Sequence, residues 1–504
     1  VVKLHHPNIK IRKAGGIIKR RKFFSLGTSV SDNLVCYNNT VSVALRALTE
    51  RLYFVKDGRG GFVECPKPVQ GAFLELRRYA KCIKRKLVAL PTVWSREQFR
   101  DHYTGPKFKR YSHAVERLSC GGVSRKHGYL KTFIKAELYN ASSKNNPCPR
   151  LIQPRSPEFN VEVGRFIKPM EKLIYGAIDR MFGHHCVLKC DAPWDRARTI
   201  KEHWDSLDDP CFVGMDASRF DQHVSEEALE FEHSVYSTIN RSKLLARLLA
   251  MQRKQRGFAN MVDGTIEYLV DGCRASGDMN TALGNVILMC MIMYNYLEQL
   301  SCPWRFIDDG DDCGIFINRK DLPKLSGIAE HFLRFGFEME IEESVDYFEG
   351  IEFCQCKPVQ LGTSSYMMVR NITKALKHDE TYLHNKPWAT LDEIRHATGI
   401  CGLALYEGVP ILDAYYRSML GSNMRAAVVD RLCKEAGGWQ YHASVRRCCS
   451  VDIDVARASV YRAFGYLPEH QLVLEQELRA RVISDSLLTQ IIPKPTDRSA
   501  YYLE

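Results

Sequence analysis

Apolar residues recur along this chain with two periods, and the periods mark out its elements. Between Asn39 and Arg51, apolar positions at Val41, Val43, Leu45 and Leu48 follow helical spacing, and Leu52–Val55 then reads as a strand. Pro66, Pro68 and Gly71 mark a turn before a basic helix, Phe73–Lys86. Leu130–Ala136 and Cys211–Asp216 read as strands, and Asn160–Ile174 as a helix. Ser225–Ala250 reads as one long helix, acidic at its start (Glu226, Glu227, Glu230) and basic at its end, as the helix dipole favours. Ile266–Val270 is a predicted strand. A helix begins near Gly277 and Asp278 and runs to about Leu300. It contains the longest apolar run, Val286–Tyr294, far short of the roughly 18–20 residues that span a bilayer. Next comes Arg305–Ile317, RFIDDGDDCGIFI, whose apolar, β-favouring arms around a glycine-containing acidic centre predict a hairpin with Asp311 and Asp312 at its tip. A helix over Leu322–Phe335, a turn at Gly336, a strand around Glu338–Ile341 and a second hairpin around Glu352–Val359 follow. After Pro387 the pattern is mostly helical.

Length and composition narrow this picture. At 504 residues the chain implies about three domains or one large, subdivided enzyme. A formal net charge of +12 favours a polyanionic partner. Residues 1–25 carry Lys3, Lys10, Arg12, Lys13, Lys19, Arg20, Arg21 and Lys22 and no acid, which suits a nucleic-acid arm or a solvated tail. Tyr103–Tyr111, YTGPKFKRY, interleaves Lys107, Lys109 and Arg110 with aromatics, as single-stranded nucleic acid requires, although taken alone it reads as a basic loop. The 18 cysteines form no regular framework behind a secretory signal, so reduced thiols in a cytosolic setting are expected. His184, His185, Cys186 and Cys190 fit no standard zinc spacing. The chain opens on Val rather than Met, and an upstream segment is expected.

The candidate chemistry begins with the hairpin. Burying adjacent carboxylates raises a pKa or requires a cation, and Mg²⁺ takes carboxylate oxygens while keeping waters for phosphates. The strand CFVGM delivers Asp216 to its C-terminal end. In-line nucleotidyl transfer uses two cations about 3.5–4 Å apart, held by carboxylates from separate strands. Asp216 with Asp311 and Asp312 could supply them; alone, Asp216 would read as a helix cap. A second segment is Ser276-Gly277-Asp278-Met279-Asn280-Thr281-Ala282-Leu283-Gly284-Asn285. Thr281 and Asn285 share a helix face, and small hydroxyl and amide groups there can read the 2′-OH that separates RNA from DNA substrates. The plainer alternative is a capped helix with Asn285 in a polar core. A third segment is basic: Lys135, Arg150 and Arg155, with Arg165 and Lys168 behind, suited to triphosphate binding.

The order of these segments resembles the motif series of viral RNA-dependent RNA polymerases, most closely those of the tombusvirus family and its luteovirus-like and umbravirus-like relatives. The resemblance covers most of the chain: NNTVSVALRALTERLYFV at 38–55, CPKPVQGAF at 65–73, RLIQPRSPEFNVEVGRFIKP at 150–169, MDASRFDQHVS, SGDMNTALGN, FCQCKPV at 353–359 and CGLALYEGVPILDAYY at 401–416. It implies a mixed α+β fold, a closed right hand whose palm is an antiparallel sheet flanked by helices. A basic segment would occupy 1–40, fingers 41–205 and 238–266, palm 206–237 and 267–385, and thumb 386–504. Asp216 and Asp311 would ligate two Mg²⁺ or Mn²⁺ ions, with Asp312 assisting. Asp221 and Asn285 would check the ribose, helped by Ser276 and Thr281. Lys135, Arg150 and Arg155 would meet the nucleotide. Lys107, Lys109, Arg110 and Gly277 would contact RNA, with Phe353, Cys354 and Gln355 as a primer grip. The implied partners are template and nascent RNA, nucleoside triphosphates, a viral auxiliary replication protein and host cytoplasmic replication membranes, with de novo initiation. Two departures stand out. Asp309 precedes Gly-Asp-Asp where the family usually has Asn, and EMEIEESVDYFEG offers no Lys as general acid. A reverse transcriptase and a non-catalytic RNA-binding factor with a vestigial palm are the rival readings.

Overall fold

The computed structural model describes residues 6–17, 21, 23–25, 34–142, 146–363, 365–383, 386–435, 451–480 and 490–491. The first strand, β1 (Ile9–Lys13), is followed by α1 (Val41–Leu48), whose cap Thr40 accepts from the Val43 amide. Next come α2 (Ala72–Lys86), α3 (Gly105–Cys120), β2 (Leu130–Ile134), β3 (Leu151–Ile152) and the long α4 (Pro157–Phe182), which starts behind the cap Ser156 and ends at Gly183 with φ +77°. The chain continues through α5 (Pro193–Asp205), β4 (Pro210–Ala217), α6 (Glu226–Ile239), α7 (Lys243–Ala250), β5 (Lys254–Met261), β6 (Gly264–Asp271) and α8 (Thr281–Leu297). After β7 (Trp304–Asp308) and β8 (Asp312–Asn318) come α9 (Ile328–Arg334), β9 (Met339–Ile341), β10 (Cys356–Gly362) and β11 (Ser365–Arg370). The remaining larger elements are helices, among them Leu391–Tyr406 and Ile453–Phe464.

Two sheets organise the functional half. One is antiparallel, in the order β7-β8-β4-β9. Cys211–Met215 are buried in succession because both faces of β4 are covered. The almost wholly apolar α8 lies in the same core, with Leu283 and Val286–Met293 fully buried. The other sheet runs β1-β6-β5-β2-β3, and its one parallel pairing joins β5 to β2. The mixed α/β character follows directly from these layers. Among the described residues no helix is long and apolar enough to cross a membrane.

Several expectations need correction. Tyr103–Tyr111 is not a loop but the lead into α3 together with its first two turns. Pro106 sits in the first helical turn, where its missing N–H costs nothing. Tyr103 and Tyr111 pack on Phe99 at ring distances of 5.2 and 5.0 Å, so they are core rather than base-stacking platforms, while Lys107, Lys109 and Arg110 stay exposed. The helix read over Ser225–Ala250 breaks at Asn240–Ser242, where Ser242 caps a second helix by accepting from Leu245 N. Leu322–Phe335 divides into a 3-10 segment holding Pro323 and the shorter α9 beyond Gly327. Only Ile266–Val270 has a clear apolar run, yet the two-residue turn Val262-Asp263 joins its strand to a second one, β5, with Met261 opposite Gly264. A boundary after residue 266 would cut β6. Around 352–359, a bridge between Phe353 and Cys356 encloses Cys354 and Gln355, both at positive φ, and the longer hairpin β10–β11 comes after it. In the basic N-terminal segment, Lys10, Arg12 and Lys13 form an edge strand on β6; Lys3, Lys19, Arg20 and Lys22 lie outside the described residues.

Candidate active site

The antiparallel register of β8, β4 and β9 sets Asp216 directly opposite Asp312 on one side and Glu340 on the other. Directly paired residues project from the same face of a sheet, so three carboxylates stand in one row, and like charges in that arrangement repel. Asp311 adds a fourth from the β7–β8 turn. The turn is closed by Asp309 N donating to Asp312 O at 2.9 Å, which leaves Gly310 and Asp311 as its two central residues. Gly310 has φ +106°, a conformation that favours glycine at the first central position of a two-residue hairpin turn. Asp216 is raised above the usual carboxylate range by burial and by the charges of Asp311 and Glu340. Asp312 is pushed up to about 6 by burial and by Asp311 and Asp216. Among the described residues none of Asp216, Asp311 and Asp312 has an ion pair with a protein cation. A cluster of hard oxygen donors with unmatched charge fits a divalent cation such as Mg²⁺. The same residues do not yet close around one point: among the described residues no three side chains are drawn together tightly enough to hold an ion.

Asp309, the departure beside them, turns the other way. Its carboxylate meets Lys189 Nζ at 2.6 Å and Arg196 of α5, and Lys189 also donates to the Asp309 carbonyl oxygen at 3.0 Å. Its charge is matched inside the protein. Sequence reasoning missed Lys189 and Arg196, because each stands more than a hundred residues from the turn and carries no local signal.

The two residues expected to check the ribose are bonded to each other. Asn285 Nδ2 on α8 donates to Asp221 Oδ1 at 3.2 Å. Burial pushes Asp221 up to about 6, while the Asn285 bond and Arg274 pull it down. Ser276 and Thr281 flank the pair, but their hydroxyls are already engaged, donating to the carbonyls of Leu151 at 2.9 Å and Ala275 at 3.0 Å. Gly277 packs against the Gln153–Pro154 backbone, where a Cβ would lie 3.0 Å from Pro154.

The basic segment divides. Lys135 and Arg150 are substantially exposed, their charges shared by Glu137 at 3.3 and 3.7 Å. Arg155, expected to meet the nucleotide, is instead turned into the interior. Its side chain is fully buried and donates to Asp278, Gln255 and the Gly128 carbonyl. It ties the segment before α4 to the loop before α8. Arg165 and Lys168 pair along α4 with Glu162 and Glu171. Phe353 is core, whereas Cys354 approaches Asp309 and Gln355 accepts from Lys374. Of the unusual His/Cys run, His185 bridges Asp179 and Asp191 at 2.8 Å each, His184 accepts from Phe306 N, Cys186 is buried and Cys190 exposed.

Residues 9–484 match the family model described as viral RNA dependent RNA polymerase. The chain is 35% identical over 500 residues to the RNA-directed RNA polymerase of Tobacco necrosis virus (strain D), covering 95% of this chain and 67% of that protein. It is 38% identical over 476 residues to that of Tobacco necrosis virus (strain A), covering 93% and 65%. It is 37% identical over 490 residues to that of Panicum mosaic virus, covering 94% and 49%. The chain thus spans between about half and two thirds of the length of these relatives.

Proposed function

The chain belongs to the viral RNA-dependent RNA polymerases, and on that footing we propose that it copies an RNA template by adding nucleotides from nucleoside triphosphates to an RNA 3′-OH. The observation that carries this reading is the row Asp312–Asp216–Glu340, topped by Asp311, beside the bonded pair Asn285–Asp221. In this reading Asp216, Asp311 and Asp312 would hold two divalent ions, Mg²⁺ or Mn²⁺. Bound there, the ions would lower the pKa of the attacking hydroxyl and offset charge on the departing pyrophosphate. Asp221 accepts from the ribose hydroxyl, and Asn285 holds that carboxylate in place. Lys135 and Arg150, being exposed, steer the triphosphate, and Lys107, Lys109, Arg110 and Gly277 lie along the RNA path.

The β7-β8-β4-β9 sheet is then the palm, the sheet containing β5–β6 part of the fingers, and the helices after 386 the thumb of a closed hand. The Cys354-Gln355 turn, backed by Phe353, serves as primer grip. Initiation is de novo. Work at host cytoplasmic replication membranes with a viral auxiliary protein completes the reading.

The test is labelled nucleotide incorporation by the full chain on an RNA template, with and without Mg²⁺ or Mn²⁺. Metal-dependent incorporation of ribonucleotides is expected, with loss of activity in Asp311→Ala. Full activity in that variant refutes the mechanism. Incorporation of deoxynucleotides alone would point to a reverse transcriptase, and salt-sensitive RNA binding without incorporation to a vestigial palm.

A further inference from the structure

Beneath the Asp221–Asn285 pair runs a polar chain that water does not reach. Glu232 of α6 is fully buried and accepts from Arg274 Nη2, from Tyr236 OH at 2.8 Å and from Asn280 Nδ2 at 2.7 Å. Arg274 is 2% exposed, and its Nε donates to Asn285 Oδ1 at 3.0 Å. The other end of the same amide, Nδ2, donates to Asp221. The chain therefore reads Glu232, Arg274, Asn285, Asp221, with each donor facing an acceptor. Room for it comes from Gly284, because a Cβ there would lie 2.4 Å from Glu232 Oε1 and 2.5 Å from Arg274 Nη2.

The two ends of an Asn amide have nearly the same shape and opposite polarity. A guanidinium has donors only, so Arg274 can face the oxygen end of Asn285 and not the nitrogen end. Turned over, the amide would set NH₂ against guanidinium and oxygen against carboxylate. A fully buried ion pair also brings little net stability, since desolvation offsets its attraction. Its consequence here is orientation.

We propose that the buried Glu232–Arg274 pair is a positioning element for sugar selection, aiming the Asn285 amide at Asp221 so that one carboxylate oxygen is held and the other stays available to accept from a ribose hydroxyl. The proposal rests on the polymerase reading. Arg274 and Glu232 touch no substrate in it; they act through Asn285.

The readout is the ratio of kcat/KM for a ribonucleotide over its deoxy counterpart, measured with the full chain on one RNA template. Glu232→Gln keeps the shape but sets an NH₂ against one of three donors. Gly284→Ala removes no charge but pushes the pair aside. Each is expected to lower the ratio roughly tenfold, the scale of one misplaced hydrogen bond. Tyr236→Phe is the control. It deletes a bond to Glu232 Oε1 and leaves the Arg274 contact with Oε2, so it should lower the melting temperature yet keep the ratio within about twofold of wild type. A wild-type ratio in whichever of Glu232→Gln and Gly284→Ala is soluble overturns the proposal, as does an equal fall in Tyr236→Phe. If neither folds, Arg274→Lys decides: it keeps a charge near Glu232 but loses the Nε bond, and an unchanged ratio there overturns the proposal too. Failure of the wild-type chain to incorporate ribonucleotides would instead refute the polymerase reading itself.

Discussion

Asp309 and Asp311 stand two residues apart on one turn and meet opposite surroundings. Asp309 points toward Lys189 and Arg196 and is almost covered. Asp311 is exposed, on the side where Asp216, Asp312 and Glu340 share a row. One side has its negative charge matched by cations of the protein. The other accumulates negative charge, and its partners there answer with raised pKa values. Burying or crowding charge without a counterion is costly, so a fold that does so marks the place where a cation from solution belongs. Acidity alone does not mark it, since DDGDD is acidic throughout.

The strongest way to break this comparison is to remove one charge from each side. Asp216→Asn is expected to lower nucleotide incorporation roughly a thousandfold, because a metal ion is worth several kcal/mol to such a transition state. Its stability should hold or rise slightly as repulsion with Asp312 and Glu340 is relieved. Asp309→Asn should do the reverse to stability. It leaves Lys189 and Arg196 without a countercharge in a partly covered site, at a cost of about 1–3 kcal/mol. Parallel denaturation curves and incorporation assays check both. If Asp309→Asn is neutral in stability, or Asp216→Asn destabilises as much, the division into matched and unmatched sides is wrong.

A gentler probe adds the missing charge. At a concentration near a hundred times its dissociation constant, Mg²⁺ should stabilise the wild-type chain by about 2.7 kcal/mol, read as a rise in melting midpoint without RNA or nucleotide. Asp216→Asn should lose most of that rise, and Asp309→Asn should keep it. Equal responses in the two variants would mean that the ion binds elsewhere.

Much of the site was legible because its parts lie on short, strongly patterned segments. The apolar arms around DDGDD, the strand before Asp216 and the helical spacing of Thr281 and Asn285 each carry a local signal, and register did the rest. What escaped depends on distance. Arg155 and Arg150 look alike in PRLIQPR, yet Arg150 remains exposed while Arg155 is buried against Asp278, which comes 123 residues later. Lys189 and Arg274 have no periodicity to announce them, because each is explained by a partner in a different element. The break at Asn240–Ser242 was readable in principle, since Ser242 is a strong cap, but continuous apolar spacing across it masked the stop. The aromatic and basic interleaving of 103–111 misled for a related reason. It is also the surface pattern of a helix that buries Tyr111, with Tyr103 packed just ahead of it, and exposes its lysines.

The matched condition can also be tested with protons, at His185. His185 lies between Asp179 and Asp191, 2.8 Å from each, and their hydrogen bonds push its pKa from 6.5 up to about 10 against the opposing effect of burial. A pKa raised on folding means that the folded chain holds the proton more tightly than the unfolded one. The resulting stability is complete below about pH 6.5 and is lost as pH rises toward 10. Its neighbours His184 and His203 are held at about 3 and about 4, chiefly by burial, so both are neutral in the folded chain across that window, and what they contribute is common to the wild type and a His185 variant. The His185 side chain is 42% exposed, and solvent screening limits the effect to about 1 kcal/mol or less. The difference in unfolding free energy between the wild type and His185→Gln should therefore shrink between pH 7 and 10. A difference that stays constant across that range would mean that His185 is neutral in the folded chain and that its two carboxylates are matched by something else.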